Sequence, residues 1–317
     1  MHTTIPFITI FTAPKAFTDP HINLIQRNAI QSWQKLGEDV QVLMIGDEPG
    51  MADFAADTGL QQLPDVTRNE HGTPMVSSIF ELAHQNSTAP LLAYVNADIV
   101  LMPELVSLAR QISGQAQAFL VVGQRWDLDI REPLEFNPGW EARLVQDMKT
   151  RGRLHPPGGS DYFIFPRNCF TEVPRFAIGR AGWDNWMFYH ARSEGWPVID
   201  VSSTLTVIHQ DHDYSHLPDG RPHYQMPESF DNIRLAGGRR TIFTLLDADH
   251  TFQSGKMQRI PKRGKRFWRS LETYPLIKWK SYPLAELAFA LCHPVKAFGE
   301  WRGRLGYKMN QVRHQRA

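Results

Sequence analysis

Short runs of apolar residues recur along the first part of the chain, separated by stretches with helical spacing. Four of these runs, at 5–11, 40–45, 91–95 and 119–123, show no alternation of polar and apolar residues. Uninterrupted apolar runs of this length are typical of strands covered on both faces, as in a parallel sheet. We therefore predict buried strands at these four positions.

Three segments between these strands have the pattern of amphipathic helices. The first begins at Asp19-Pro20, an N-cap followed by proline, and ends at Gly37. A second begins at Thr73-Pro74, and a third runs from Pro103 to about Ile112. This alternation predicts an α/β fold of Rossmann type, with a mostly parallel sheet flanked by helices.

The pattern becomes less regular beyond residue 123. Residues 124–160 are rich in Trp, Pro and Gly, and we expect them to form loops over a site. Further elements are predicted after them: strands at 161–165, 198–201 and 205–208, a helix within 179–196 that ends at Arg192, and a helix around 240–250.

The net charge of +1 conceals a strongly basic C-terminal segment. From Lys256 onward the chain has fifteen Lys and Arg residues but only three acidic residues, interleaved with Phe, Trp, Tyr and Leu. We predict a domain at 1–250 and a basic helical extension at 251–317. Residues 256–317 suit an anionic membrane surface, although a solvated tail is equally compatible with them. Single-stranded nucleic acid is a weaker alternative, and we expect none to bind.

The two cysteines, Cys169 and Cys292, are too few for a disulfide framework and fit a reducing compartment. The N-terminus has no basic region before its apolar run, so it does not have the pattern of a signal peptide. No apolar run approaches the roughly 18 residues that a membrane-spanning helix needs. These features predict a cytoplasmic protein, peripheral to the membrane if it binds one.

Polar residues stand where several of the predicted strands and helices begin or end. Asn96-Ala97-Asp98 follows the strand at 91–95, and ligands of open α/β sheets bind beyond the carboxyl ends of the strands. Asp98 is thus a candidate ligand, although an aspartate there can also cap the next helix. Asp161, Asp184 and His209 also stand at element ends. Such a set suits a divalent cation, Mn²⁺ or Mg²⁺, with a phosphate ester.

Seven segments together resemble the GT-A type of glycosyltransferase, which uses nucleotide-diphospho-sugars and is related to the broad family 2 enzymes. They cover roughly residues 5–216. The segments are ITIFTAPK (8–15), VLMIGDEPG (42–50), NEHGTPMVSSIFELA (69–83), NAD (96–98), GGSDYFIFPR (158–167), GWDNWM (182–187) and VIHQDHDYSH (207–216). The resemblance implies a GT-A-like fold and a metal-dependent transfer of a sugar to the hydroxyl of a glycan or lipid-linked glycan, which in turn favours the membrane interpretation of the tail.

The resemblance also implies roles for individual residues. Asp98 resembles the last aspartate of the DxD motif, which holds the metal, and His209 the histidine that completes the metal site. Asp184 stands where inverting members have their general base. The donor nucleotide-sugar would contact residues at the ends of several strands: Thr12, Lys15, Asp47, Asn96, Asp98 and Asp161. Asn96 replaces the first aspartate of the motif, which predicts weaker metal binding.

Aromatic and histidine side chains add further candidates. Trp126, Trp140 and Trp183 have the chemistry to stack on sugars, or else they pack in the core, as we expect of Trp186 next to Met187 and Phe188. His212 and His216 follow His209 in a polar loop, where we expect solvated side chains rather than metal ligands.

Other functions remain open from the sequence. A nucleotidyltransferase should have a glycine-rich phosphate loop after the first strand, but the chain has Thr12-Ala-Pro-Lys15 there. A sugar- or nucleotide-binding protein that has lost catalysis is compatible with Asn96. A metal-dependent hydrolase based on residues 209–216 would need more acidic residues than the sequence places there.

Overall fold

The computed structural model describes residues 5–158, 160–212, 224 and 226–303, and most of them belong to regular elements. The strands are β1 (Ile8–Thr12), β2 (Val40–Ile45), β3 (Gln61–Leu63), β4 (Leu91–Val95), β5 (Ile99–Leu101), β6 (Leu120–Val122), β7 (Trp126–Leu128), β8 (Arg153–Leu154), β9 (Tyr162–Pro166), β10 (Val198–Asp200), β11 (Val207–Gln210), β12 (His250–Gln253) and β13 (Lys256–Arg259). The helices are α1 (Pro20–Gln34), α2 (Met51–Thr58), α3 (Val76–Gln85), α4 (Glu104–Ser113), α5 (Trp140–Arg151), α6 (Trp183–Ser193), α7 (Pro227–Leu235), α8 (Lys265–Trp279) and α9 (Tyr282–Cys292).

The central sheet has nine strands in the order β13-β12-β10-β6-β9-β4-β1-β2-β3. Strand β1 is parallel to β2 and β4, and β10 is parallel to β6 and β12. Only β9 and β13 run antiparallel to their neighbours. The four apolar runs predicted as strands all lie in this sheet, and the predicted α/β class with a mostly parallel sheet is confirmed.

A second sheet of four strands, in the order β5-β11-β7-β8, carries much of the candidate site. Strand β11 runs antiparallel to β5 and parallel to β7. The prediction that residues 124–160 form only loops is therefore wrong, because they contain β7, α5 and β8. Helix α5 forms since its apolar residues recur every four positions, and Trp140, Leu144 and Met148 pack into the core beside this sheet.

Helix α1 ties the two sheets together. Asp19 caps it by accepting hydrogen bonds from the backbone N–H groups of His21 and Ile22. The fully buried Trp33 donates from Nε1 to the Ile99 carbonyl, at 2.8 Å. Since Ile99 begins β5, this contact fixes the strand that follows Asp98.

Two further sequence predictions need correction in the larger unit. The helix expected around 240–250 is instead a pair of short 3₁₀ turns, Arg239–Thr241 and Leu245–Asp247, the second capped by Thr244. Both are too short for an α-helix. Helix α2 and strand β3 lie in a segment where no element was predicted.

The chain divides into two compact units, Met1–Ile260 and Pro261–Ala317. The division falls beyond the predicted boundary at 250, because β12 pairs with β10 and β13 pairs with β12. In the second unit, α8 and α9 precede a further helical stretch at 294–303. Among the described residues, no helix has the length and apolar character needed to cross a membrane.

Candidate functional site

Asp98 lies in the turn between β4 and β5, where two histidines approach it. Its Oδ2 is 3.1 Å from His212 Nε2 and 3.8 Å from His209 Nε2. Its Oδ1 is buried and has no hydrogen-bond partner within the described part of the chain. Leaving a buried carboxylate oxygen unpaired is costly, so this atom is a candidate ligand for a cation.

Pairing between β5 and β11 brings the histidines to Asp98. His209 lies opposite Ile99 in this antiparallel pair, and the Gln210 backbone N–H donates to the Asp98 carbonyl at 3.1 Å. His212 follows two residues later and reaches the same carboxylate. The sequence interpretation of His212 as a solvated loop residue is therefore wrong, whereas His216 lies outside the described residues.

These three side chains fit a divalent cation. One ligand atom from each of Asp98, His209 and His212 lies within 4.8 Å of the others. Two ligands of a Mg²⁺ ion at right angles, each about 2.1 Å from the metal, are about 3 Å apart. The 3.1 Å between Asp98 Oδ2 and His212 Nε2 matches this spacing, and His209 Nε2 lies farther from Asp98 Oδ2, at 3.8 Å. The unpaired Asp98 oxygen adds a further reason for the fit.

The electrostatic environment keeps Asp98 ionised. Burial alone would raise the pKa of this carboxyl, but the charges of His209 and Lys15 and the hydrogen bond from His212 outweigh it and hold the pKa well below its usual range. Conversely, burial would lower the pKa of His209, but Asp98 and Asp127 outweigh it and raise that pKa. The carboxylates thus favour a positive charge here, either a proton or a cation.

Asp127, in β7, holds the other side of His209. Its Oδ1 is 3.2 Å from His209 Nδ1, and its Oδ2 is 2.8 Å from His155 Nδ1. Arg125 Nε donates to Oδ1 at 3.0 Å. Burial would raise the pKa of Asp127, but these three partners outweigh it, so the pKa lies well below its usual range. Asp127 thus lies beside Nδ1 of His209, while Nε2 of the same ring faces Asp98.

Asn96 and Asp161 form a second, linked contact. Asn96 Nδ2 donates to Asp161 Oδ1 at 2.9 Å, and Tyr94 donates its hydroxyl proton to Asn96 Oδ1 at 3.0 Å. Arg125 Nη1 donates to Asp161 Oδ2, so Arg125 joins Asp161 to Asp127. Both polar atoms of the Asn96 amide are thereby engaged within the protein, and the amide cross-links β4 to the start of β9.

Asp184, in the first turn of α6, is an unusually weak acid for an aspartate. Burial raises its pKa to about 6, and the negative charge of Asp161 adds to the rise. Hydrogen bonds from the backbone N–H groups of Asn185 and Gly182 lower the pKa but do not outweigh the burial. Gly182 precedes the helix with a φ of 109°, a conformation that glycine tolerates best, and its N–H donates to Asp184 Oδ1 at 3.3 Å. Asp184 and Asp161 are near enough to influence each other's charge.

The three residues predicted nearer the N-terminus differ in their surroundings. Thr12 is fully buried at the end of β1, and its Oγ1 lacks a hydrogen-bond partner among the described residues. Lys15 follows in an exposed loop, where Gln26 accepts from its backbone N–H at 2.6 Å. Asp47, after β2, forms an ion pair with Arg68. Only Lys15 has an electrostatic link to Asp98.

Most of the tryptophans considered for sugar stacking belong to the core. Trp140, Trp183 and Trp186 are buried, which bears out the expectation for Trp186. Trp183 packs edge-on against Tyr94 at 4.9 Å, directly behind the Asn96 contact. Trp126, in β7 beside Asp127, is half-buried, so part of its side chain is exposed to solvent.

No family model matches the chain, and no curated protein matches it. Among solved structures, it is similar to glucosyl-3-phosphoglycerate synthase from Mycobacterium tuberculosis, with 14% identity, 81% of this chain and 88% of that one covered, and a TM-score of 0.47. A complex of that synthase with Mn²⁺, UDP and phosphoglyceric acid matches with 14% identity, 67% and 73% coverage and a TM-score of 0.43. S. aureus TarS 1-349 matches with 11% identity, 41% and 39% coverage and a TM-score of 0.31. Because these identities and TM-scores are low, the similarities carry no argument about the activity of this chain.

Proposed function

We propose that this chain is a metal-dependent glycosyltransferase of the GT-A type, which transfers a sugar from a nucleotide-diphosphate donor to a hydroxyl acceptor. The observation that carries the proposal is the meeting of Asp98, His209 and His212 beside an unpaired, buried carboxylate oxygen. These residues would hold Mn²⁺ or Mg²⁺. Bound there, the cation would supply Lewis-acid stabilisation of the charge on the departing diphosphate.

Asp184 is the proposed general base. A carboxyl group with a pKa of about 6 is mostly ionised at neutral pH yet basic enough to accept a proton from a hydroxyl as that hydroxyl attacks. Its electrostatic coupling to Asp161 supports a place beside the sugar-binding part of the site. This assignment agrees with the role that the sequence resemblance implies.

The donor nucleotide-sugar is proposed to bind along the strand ends. Lys15 offers a cation for the diphosphate near Asp98. Thr12 offers an unpaired hydroxyl, and Asp47, with its partner Arg68, flanks the end of β2. Asn96 acts through Asp161, to which its amide donates a hydrogen bond. Asp161 then lines the sugar pocket.

The proposed acceptor is a glycan or lipid-linked glycan, handled at the cytoplasmic side of a membrane. Residues 256–317 would contact the anionic surface of that membrane. The site itself offers two cations, Arg125 and Arg153, and the His155 imidazole next to Asp127, but nothing in their arrangement selects one acceptor.

Calorimetry of the full chain with UDP and GDP, each with and without Mn²⁺, tests the donor site. We expect one nucleotide to bind only with metal, and this binding to be lost in Asp98→Ala. The matched control is Asp57→Ala, which removes an exposed carboxylate of α2 and should bind like the wild type.

The other outcomes are equally informative. Metal-dependent binding that survives in Asp98→Ala would place the cation elsewhere. If none of UDP, GDP and dTDP binds, the proposal is wrong. Binding without hydrolysis or transfer of any nucleotide-sugar would favour a binding protein that has lost catalysis.

A further inference from the structure

Helix α9 presents a stripe of leucines that nothing in the described chain covers. Leu284, Leu287 and Leu291 are exposed and follow one another at intervals of three and four residues, so they share one face. Leu291 is 75% exposed, and the opposite face buries Ala285 and Phe289. A leucine-only stripe this open is unusual on the surface of a protein.

The neighbouring helices repeat the pattern with larger side chains. On α8, Phe267, Leu271 and Tyr274 are exposed at helical spacing, and Trp268 and Trp279 are exposed beside them. In the helical stretch at 294–303 the exposed apolar residues are Val295, Phe298 and Trp301, of which Val295 is 85% exposed. The second unit therefore exposes large apolar groups along each of its helices.

These apolar groups lie among positive charges. The described residues 256–303 contain eleven Lys and Arg residues but only Glu272, Glu286 and Glu300 as acids. Lys262, Arg263 and Lys265 are exposed at the start of α8, and Lys278 and Lys280 are exposed at its other end. Glu272 is buried and paired with Arg269 and His293, so it offsets little of the charge that faces outward.

This combination of leucines, aromatic residues and positive charges distinguishes among three surfaces that would cover the stripe. A second copy would bring two strongly basic segments together, which electrostatic repulsion opposes. A single-stranded nucleic acid uses aromatic stacking and cations, but it has no use for Leu284, Leu287 and Leu291. An anionic lipid surface explains both the apolar stripe and the positive charges. Leucines enter the acyl region, aromatic side chains lie at the interface and cations contact the headgroups.

We infer that residues 262–303 bind an anionic lipid bilayer, with the Leu284–Leu291 face of α9 inserted at the interface and the charges around α8 on the headgroups. The segment lies on the membrane rather than crossing it, because no helix in the described residues is long and apolar enough to span one. This inference does not depend on the chemistry of the catalytic site.

Flotation of the full chain with vesicles tests it. One set contains phosphatidylcholine and phosphatidylglycerol in equal parts, and the other contains phosphatidylcholine alone. We expect binding to the anionic set only, reduced by at least about tenfold in Leu287→Ser/Leu291→Ser and in Lys262→Gln/Arg263→Gln/Lys265→Gln. Added salt should weaken it.

The controls carry the same changes on exposed positions of the first unit. They are Phe230→Ser/Leu235→Ser and Lys35→Gln/Arg131→Gln/Lys149→Gln, and both should float like the wild type. Circular dichroism and thermal denaturation show that each variant is folded.

Three results would overturn the inference. The first is no flotation of the wild type, or equal flotation with neutral vesicles. The second is flotation that the tail variants leave unchanged. The third is a dimer, seen by sedimentation, that Leu287→Ser/Leu291→Ser dissociates without any change in vesicle binding, since the stripe would then be covered by a second copy.

Discussion

At the residue scale, the proposed chemistry depends most directly on Asp184. Replacing it by asparagine keeps the size of the side chain but removes the proton acceptor, so sugar transfer should fall by at least about a hundredfold. Donor and metal binding should remain, because these depend on other residues. Product formation from a radiolabelled donor measures sugar transfer, and calorimetry measures the binding of donor and metal.

The matched control for Asp184→Asn is Asp53→Asn. Asp53 is also an aspartate in the first turn of a helix, α2, but it is exposed, and its variant should transfer sugar normally. Transfer at near wild-type rate by Asp184→Asn would exclude Asp184 as the base.

Asp184 should also affect stability in a pH-dependent way. Burial raises its folded-state pKa to about 6, so the folded protein prefers the protonated form. The stability that this provides is fully present below the unfolded pKa and is lost as the pH rises through about 6. Asp184→Asn should therefore raise the melting temperature at pH 8 but not at pH 4. An equal change at both pH values would contradict the buried, weakly acidic carboxyl.

Asp127 is the residue on which metal affinity should depend without direct contact. Its Oδ1 lies at an ion-pair distance of 3.2 Å from His209 Nδ1, and loss of a carboxylate partner of a metal-binding histidine typically lowers metal affinity by about tenfold to a hundredfold. We expect this of Asp127→Asn in a calorimetric Mn²⁺ titration. Asp129→Asn, which changes an exposed aspartate in the same segment paired with Arg131, should have no effect. Unchanged affinity in Asp127→Asn would show that His209 needs no such support.

At the scale of elements, α1 supports the strand that carries His209 of the candidate metal site. Asn28 Nδ2 donates to Gln210 Oε1 at 3.0 Å, and Asn28 Oδ1 accepts from the Leu134 N–H at 2.8 Å. Gln210 Nε2 in turn donates to the Ile25 carbonyl at 2.7 Å. Strand β11, which carries His209, is thus bound to α1 through buried amides.

Breaking this link should cost stability. Asn28→Leu leaves buried groups of Gln210 and Leu134 without partners, so the free energy of unfolding should fall by at least about 2 kcal/mol. Urea denaturation measures it. Gln34→Leu, an exposed position on α1, should change the free energy little. A small effect of Asn28→Leu would mean that water replaces the lost bonds.

Sequence patterns predicted six of the nine strands of the central sheet, because these six are local apolar runs. They missed β3, β12 and β13, which are three or four residues long and rich in polar residues. They failed for β7, α5 and β8, since β7 and β8 are two or three residues long and α5 has apolar residues on only a narrow stripe. Periodicity needs longer segments than these to be recognised.

The site was predictable where it lies at strand ends and not where it depends on distant pairing. Asp98 and His209 could be chosen because each ends an apolar run. Asp127 could not, since only the pairing of β7 with β11 brings it to His209. His212 reaches Asp98 from a polar loop through the fold of β11 against β5, and no local pattern indicates this.

At the scale of the whole molecule, the boundary between the two units decides where the chain can be shortened. Strands β12 and β13 belong to the central sheet, and Phe252 of β12 is in its core. A chain that ends after Ile260 keeps them, whereas one that ends at the boundary predicted from the sequence, residue 250, loses nearly all of both.

We therefore expect residues 1–260 to fold cooperatively and to bind the donor nucleotide with Mn²⁺ like the full chain, without floating on anionic vesicles. Residues 1–250 should melt at a clearly lower temperature, because Phe252 is gone and the edge of β10 is left unpaired. Thermal denaturation of both fragments measures this difference. Equal melting temperatures would show that β12 and β13 add nothing to the core. Vesicle binding by residues 1–260 would assign the membrane contact to the first unit.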